Sequence, residues 1–254
     1  MGTGTTAERI ARYRRELDAS DDWDAFLCAE SGLPGPRGNL ELMALVAERG
    51  DEVRFRRYAA LDSAAAPTNT PGEFLAGCGV LGLGRLAAGG RDDLLPELRA
   101  HARDPRWRVR ESVAMALQLV GDASTDRLLA VLRSWAGGDA LEQRAVVAAI
   151  CEPRLLRDPD VAAAAIDLLD GITAGIAGRP DRRSEAVVAL RKALGYGWSV
   201  VAAALPARGL PALERWAGSP DPDLRWIVRE NLGKDRLRRT DAAWVARQRE
   251  RIGA

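Results

Sequence analysis

Between residues 105 and 120 the apolar side chains Val109, Val113, Ala116, Leu117 and Val120 recur at i, i+4, i+7, i+8 and i+11, which gathers them on one face of a helix. The same period runs through most of the chain. It predicts short helices over 7–19 and 22–30, the second capped by Asp21 or Asp22. A Gly/Pro-rich loop over 31–38 leads to a helix that Asn39 caps and that carries Leu40, Met43, Leu45 and Val46. Another helix follows over about 51–61. Residues 62–71, rich in Ala, Pro, Thr and Asn, are the longest irregular stretch and the best candidate for a junction. Thr70-Pro71 then opens a helix through Leu86 that Gly89-Gly90 closes. Helix pairs follow at roughly 91–103 with 105–120, 125–136 with 139–150, 159–177 with 183–203, and 209–217 with 223–234, and a last helix spans about 241–252. No segment alternates apolar and polar residues as a half-buried strand does. The pattern predicts an all-α fold.

Two frames recur along this pattern. Arg106-Trp107-Arg108-Val109-Arg110-Glu111 returns as Arg225-Trp226-Ile227-Val228-Arg229-Glu230, displaced by 119 positions, and a Pro/Asp cluster introduces each copy. Upstream of each lies Leu-Pro-x-Leu, at Leu95 to Leu98 and at Leu210 to Leu213. Two helices and a tight acidic turn therefore form one repeated unit. Units of roughly 35–47 residues built from helix pairs fit the range of HEAT and armadillo repeats. The step from Asp104 to Val109-Arg110, and again from Asp223 to Val228-Arg229, resembles the second helix of a HEAT repeat. That resemblance covers roughly residues 70–237. It implies a right-handed α-solenoid of HEAT-like helix pairs with one concave helical surface. The implied organisation is an N-terminal helical cap over 1–62, HEAT-like repeats over 63–240 and a capping helix over 241–254.

Charge narrows the function classes. With 37 basic and 36 acidic side chains the net charge is +1, so no bulk field demands nucleic acid or an anionic membrane. Cys28, Cys78 and Cys151 are far apart and lack metal-ligand or redox spacing, which makes a reducing cytoplasm the expected compartment. No apolar run approaches the ~20 residues that span a bilayer. The first residues, Met1 to Thr6, lead into a charged helix rather than a signal-peptide core.

The candidate chemistry is correspondingly thin. In HEAT-like repeats an Arg at the position of Arg110 or Arg229 pairs with the Asp of a nearby turn. The functional alternative is that Arg106, Arg110, Arg225 and Arg229 line a binding surface, where the guanidinium fork suits phosphates or acidic side chains. Trp107, Trp135, Trp216 and Trp226 fall at comparable repeat positions and read first as packing plugs at helix ends, with Trp107 and Trp226 beside the surface arginines. His101, the only histidine, aligns with Trp216 and reads as semi-buried filler. Residues 77–82 match G-x-G-x-x-G, but within a Pro-started helix and with no strand before it, so small residues for close packing are the reading and no cofactor is expected. No catalytic group and no metal cluster emerge.

One run stands apart. Leu190-Arg191-Lys192-Ala193-Leu194-Gly195-Tyr196-Gly197-Trp198 is similar to a segment of the HEAT-like alkylpurine DNA glycosylases, in which an aromatic side chain faces DNA. By that likeness Tyr196 takes the aromatic position and Trp198 accompanies it. The family's Trp, four residues before an Asp, is replaced here by Gln118 before Asp122. The likeness then implies duplex-DNA binding without base excision. A basic excess over 231–254 would support phosphate contacts, or form the polar face of a terminal cap. The leading expectation is a non-enzymatic interaction module for a protein partner, with DNA binding second, and no cofactor, metal or membrane.

Overall fold

The computed structural model describes residues 5–253; Met1 to Gly4, expected above to lead into the first helix, lie outside the described residues. Fifteen α-helices account for most of the chain, and no strand occurs among the described residues. None of these helices is long and apolar enough to cross a membrane. The chain divides into two compact units, Met1–Ala123 and Ser124–Ala254. Residues 62–71 lie inside the first unit.

The first unit contains α1 (Thr6–Ala19), α2 (Asp24–Glu30), α3 (Leu40–Arg49), α4 (Glu52–Ala59), α5 (Pro71–Ala88), α6 (Leu95–His101) and α7 (Trp107–Ala123). Side-chain caps fix several starts. Asn39 accepts from the N–H of Leu42 at 3.1 Å and Asp51 from that of Arg54 at 2.8 Å, as the residue types predict. The start of α2 differs: its cap position is Trp23, and Asp22 instead closes a local bond to the N–H of Asp24.

Helix α5 is the axis of this unit. It packs on α7, α4, α3 and α2, and every residue from Glu73 to Gly84 is buried. Its glycines permit this, not a phosphate. A Cβ on Gly79 would lie 2.3 Å from the backbone nitrogen of Ala59, and one on Gly84 would lie 2.2 Å from Cβ of Ala116. Backbone therefore meets backbone on both sides of α5. Phe55 of α4 and Phe74 and Leu83 of α5 itself are buried, each worth about 1.5–3 kcal/mol of transfer free energy.

The second unit contains α8 (Thr125–Ala136), α9 (Ala140–Ile150), α10 (Pro159–Ile176), α11 (Glu185–Ala204), α12 (Pro206–Ala217), α13 (Pro222–Leu232), α14 (Asp235–Thr240) and α15 (Ala242–Ile252). Helix α11 is its axis, packed on α9, α13, α10 and α12. The two glycines of the 190–198 run are contact points within it. Gly195 receives the ring of Trp226, and Gly197 receives Sγ of Cys151. Asn231 of α13 is buried, and its carboxamide donates to the carbonyls of Leu194 and Ile227 at 2.9 and 2.8 Å and accepts from the N–H of Ser199 at 2.7 Å. That one side chain ties α13 to the backbone of α11.

Candidate functional site

The first unit contains a cavity of about 290 Å³. Its walls come from the 31–38 loop and the starts of α3, α5 and α7. Each wall is fixed by the local sequence. Ser31 turns the loop, its hydroxyl accepting from the N–H of Leu33 at 3.1 Å. Asn69 holds the loop's far side by accepting from the N–H of Gly35 at 3.0 Å. Asn39, besides capping α3, donates to the Tyr13 hydroxyl and to the carbonyl of Glu30, both at 2.9 Å. This leaves Leu40, the first residue of α3, outside the core and 57% exposed.

The floor is polar. Glu73, in the first turn of α5, is fully buried, and its Oε2 accepts from the N–H of Asn69 at 2.7 Å and from the Arg108 guanidinium at 3.1 Å. Arg108 also donates to the carbonyl of Gly35 at 2.8 Å, and so clamps the loop to α7. Oε1 of Glu73 and Nε of Arg108 have no hydrogen-bond partner among the described residues. A buried polar atom left in this state costs about 1–3 kcal/mol. The apolar part of the lining includes Leu33, Met43, Phe74 and Met115. Trp107 stands at the edge, 47% exposed, with the Arg108 guanidinium 4.6 Å from its ring centroid. A shallower pocket of about 670 Å³ adjoins it through Arg37, Gly38 and Leu40. There Arg12 and the Tyr13 hydroxyl bind Glu30, and the Arg12 bond keeps its carboxyl below the ordinary carboxylate range.

Of the residues singled out in the repeated frame, the structure brings only Trp107 to this cavity. Arg106 is a correction: it is 1% exposed and grips both oxygens of Asp104, at 2.9 and 2.6 Å, together with the carbonyls of Leu61, Asp62 and Ala66. Arg110 is likewise buried, donating to the carbonyls of Asp104 and Pro105 at 2.6 and 2.8 Å. Neither presents a surface to a partner. The second copy behaves differently, because its helix begins a turn earlier. Asp221 caps α13 by accepting from the N–H groups of Asp223 and Leu224, so Arg225 and Arg229 lie within the helix and are exposed. Trp226 is partly covered.

The 190–198 run contributes two stacked pairs in the second unit. Arg191 lies 4.6 Å from the ring centroid of Trp226 and is ion-paired to Asp223. Tyr196, 47% exposed, accepts from Arg236 at 2.6 Å, and that guanidinium also lies 4.6 Å from its ring. Lys192 is exposed one turn before Tyr196. Trp198 is a further correction: it is fully buried, and its indole N–H donates to Thr173 Oγ1 at 2.9 Å. Trp135 is buried as well, while Asp139 caps α9 in a capping box with Glu142. Gln118, Gly121 and Asp122 all lie within α7.

Sequence reasoning passed over Leu40, Glu73, Phe74 and Arg108. One signal was available. Only two methionines follow Met1, Met43 and Met115, and both line the cavity. Methionine is over-used where a surface must adapt to a partner. No group of side chains suited to hold a metal ion occurs among the described residues. No family model matches this chain, and no curated protein matches it in sequence.

Proposed function

We propose that the chain is a non-enzymatic helical interaction module that takes an apolar side chain of a protein partner into the cavity between α3, α5 and α7. One observation carries this reading. Among the described residues the large apolar side chains left exposed are Leu40, Val53, Trp107 and Tyr196, and two of these four stand over one apolar cavity. Exposed apolar surface that converges on a concavity marks an interaction site. Selection of random displayed peptides on the wild-type chain tests it. Enriched peptides should bind the Leu40→Ser, Trp107→Ala double variant at least tenfold more weakly. Peptides indifferent to both substitutions would refute it.

The right-handed HEAT-like solenoid is the architecture proposed to carry this module. Its support is that α6 with α7, and α12 with α13, pack as neighbouring helices and carry the same Leu-Pro-x-Leu and Arg-Trp frames.

A second reading is duplex-DNA binding through the second unit. It is favoured by Tyr196, which stays exposed beside Lys192 and Arg236 while Arg225 and Arg229 are exposed on α13. Against it, Arg191 is already neutralised by Asp223, and the near-neutral net charge gives little attraction for phosphates. Fluorescence anisotropy with a labelled duplex distinguishes the two. Sub-micromolar binding that collapses with salt would favour DNA, and no binding at low salt would remove it.

A further inference from the structure

Resting on the reading of this cleft as a partner site, we infer that its occupant is an acidic peptide segment, one that sets a carboxylate beside its apolar anchor and delivers that carboxylate to Arg37. Charge complementarity carries the inference. With one exception, the charged side chains that line the cavity and the adjoining pocket are already matched within the chain. Arg9 pairs with Glu41 at 2.6 Å, Glu30 with Arg12 at 2.8 Å, and Glu73 with Arg108 at 3.1 Å. Glu111 also has a partner within the chain. Arg37 is the exception. It lines both hollows, is exposed, and makes no hydrogen bond or ion pair among the described residues. A segment entering here therefore meets one uncompensated cation. A lysine or arginine beside its anchor is repelled, whereas the guanidinium fork holds a carboxylate through two oxygens.

Size and order support a peptide as the carrier. About 290 Å³ lies at the bottom of the range for ligand pockets, roughly 300–1,000 Å³. The cavity thus takes one side chain and leaves the rest of the segment in solvent, where the exposed Arg37 also stands. The backbone on both sides of Arg37 is held. Two residues before it, the N–H of Gly35 donates to Asn69 at 3.0 Å, and the Gly35 carbonyl accepts from Arg108 at 2.8 Å. Two residues after it, the N–H of Asn39 donates to the carbonyl of Ser31 at 2.9 Å. The cation is carried on a loop already tied down before a partner arrives, which lowers the ordering cost of binding.

The test selects random displayed peptides in parallel on the wild-type chain, on Arg37→Glu and on Trp107→Ala. Arg37 is exposed, so Arg37→Glu should keep the wild-type thermal midpoint. We expect aspartate or glutamate next to the enriched apolar residue on the wild type, lysine or arginine there on Arg37→Glu, and loss of both enrichments on Trp107→Ala. An enriched peptide is then synthesised with its acid intact and with the acid replaced by the matching amide, and each is titrated by fluorescence anisotropy. The amide should bind the wild type about threefold more weakly, as expected for an exposed ion pair, and should bind Arg37→Gln as well as the acid does. The same charge preference on the wild type and Arg37→Glu, with enrichment still lost on Trp107→Ala, would overturn the role of Arg37 and leave the partner site standing. Self-association of the wild type in sedimentation, abolished by Trp107→Ala, would put a second copy in the cleft and overturn the peptide. No enrichment, or enrichment indifferent to Trp107→Ala, would overturn both readings.

Discussion

Replacing Arg106 and Arg225 by alanine, one at a time, should give opposite results although the two occupy the same place in a repeated frame. Arg106 satisfies Asp104 with a two-pronged fork and three backbone carbonyls with the rest of its guanidinium. The Asp104 side chain is itself nearly buried, 10% exposed. Removing one partner of such a pair leaves an uncompensated charge and costs about 3–5 kcal/mol. The carbonyl of Ala66, bonded in a buried setting, places the loss toward the upper end. Arg225 is exposed, and its removal should change stability by no more than about 0.5 kcal/mol. Urea unfolding followed by far-ultraviolet circular dichroism reads the difference. Arg106→Ala should lower the midpoint by at least about 1 M, taking a slope of about 1–3 kcal/mol per molar urea. Arg106→Lys should recover only part, because an ammonium cannot hold two carboxylate oxygens and still reach the carbonyls. Equal small shifts for both alanine variants, or full recovery by lysine, would refute the assignment of Arg106 as an internal clamp.

Other consequences are as direct. Asn231→Ala strips three bonds from the α11–α13 contact and should cost about 3 kcal/mol, lowering the thermal midpoint by roughly 6–12 °C. His101 is held below the ordinary histidine range first by burial and also by the charge of Arg106. Its neutral form is therefore favoured in the folded chain, so stability is fully present above about pH 6.5 and falls as the pH drops toward the folded value. As His101 is the only histidine, unfolding free energies between pH 7 and 5 should lose most of this slope in His101→Gln. Burial raises the thiols of Cys78 and Cys151 above the ordinary cysteine range, and both are free. Ellman's reagent should label only Cys28 in the native state, and rapid labelling of more than one thiol would contradict the packing.

The helices were legible because their signals are local. Asn39 and Asp51 cap where their type and position indicate, and the α7 face set by Val109, Val113, Leu117 and Val120 is fully buried. Where signals were weak the bounds moved. Helix α12 begins at Pro206 rather than at about 209 and runs through Pro211, and α14 is too short and polar to show a period. The arginine clamp was not legible, since burial of Arg106 depends on carbonyls some 40 positions earlier. The cavity was hidden for the same reason. Its lining draws on the 31–38 loop, α3, α5 and α7, which are far apart in the chain, and only Trp107 and the methionines hinted at it.

The glycine contacts of α5 also govern how the first unit moves. With its backbone seated against the backbone of α4 at Gly79 and against α7 at Ala116, no sliding of one helix relieves the others. Its amide protons should then exchange with solvent only when the whole unit opens, far more slowly than those of the 31–38 loop. The cleft thus takes one wall from a helix whose backbone keeps its place, while Arg108 of α7 ties the 31–38 loop beside it.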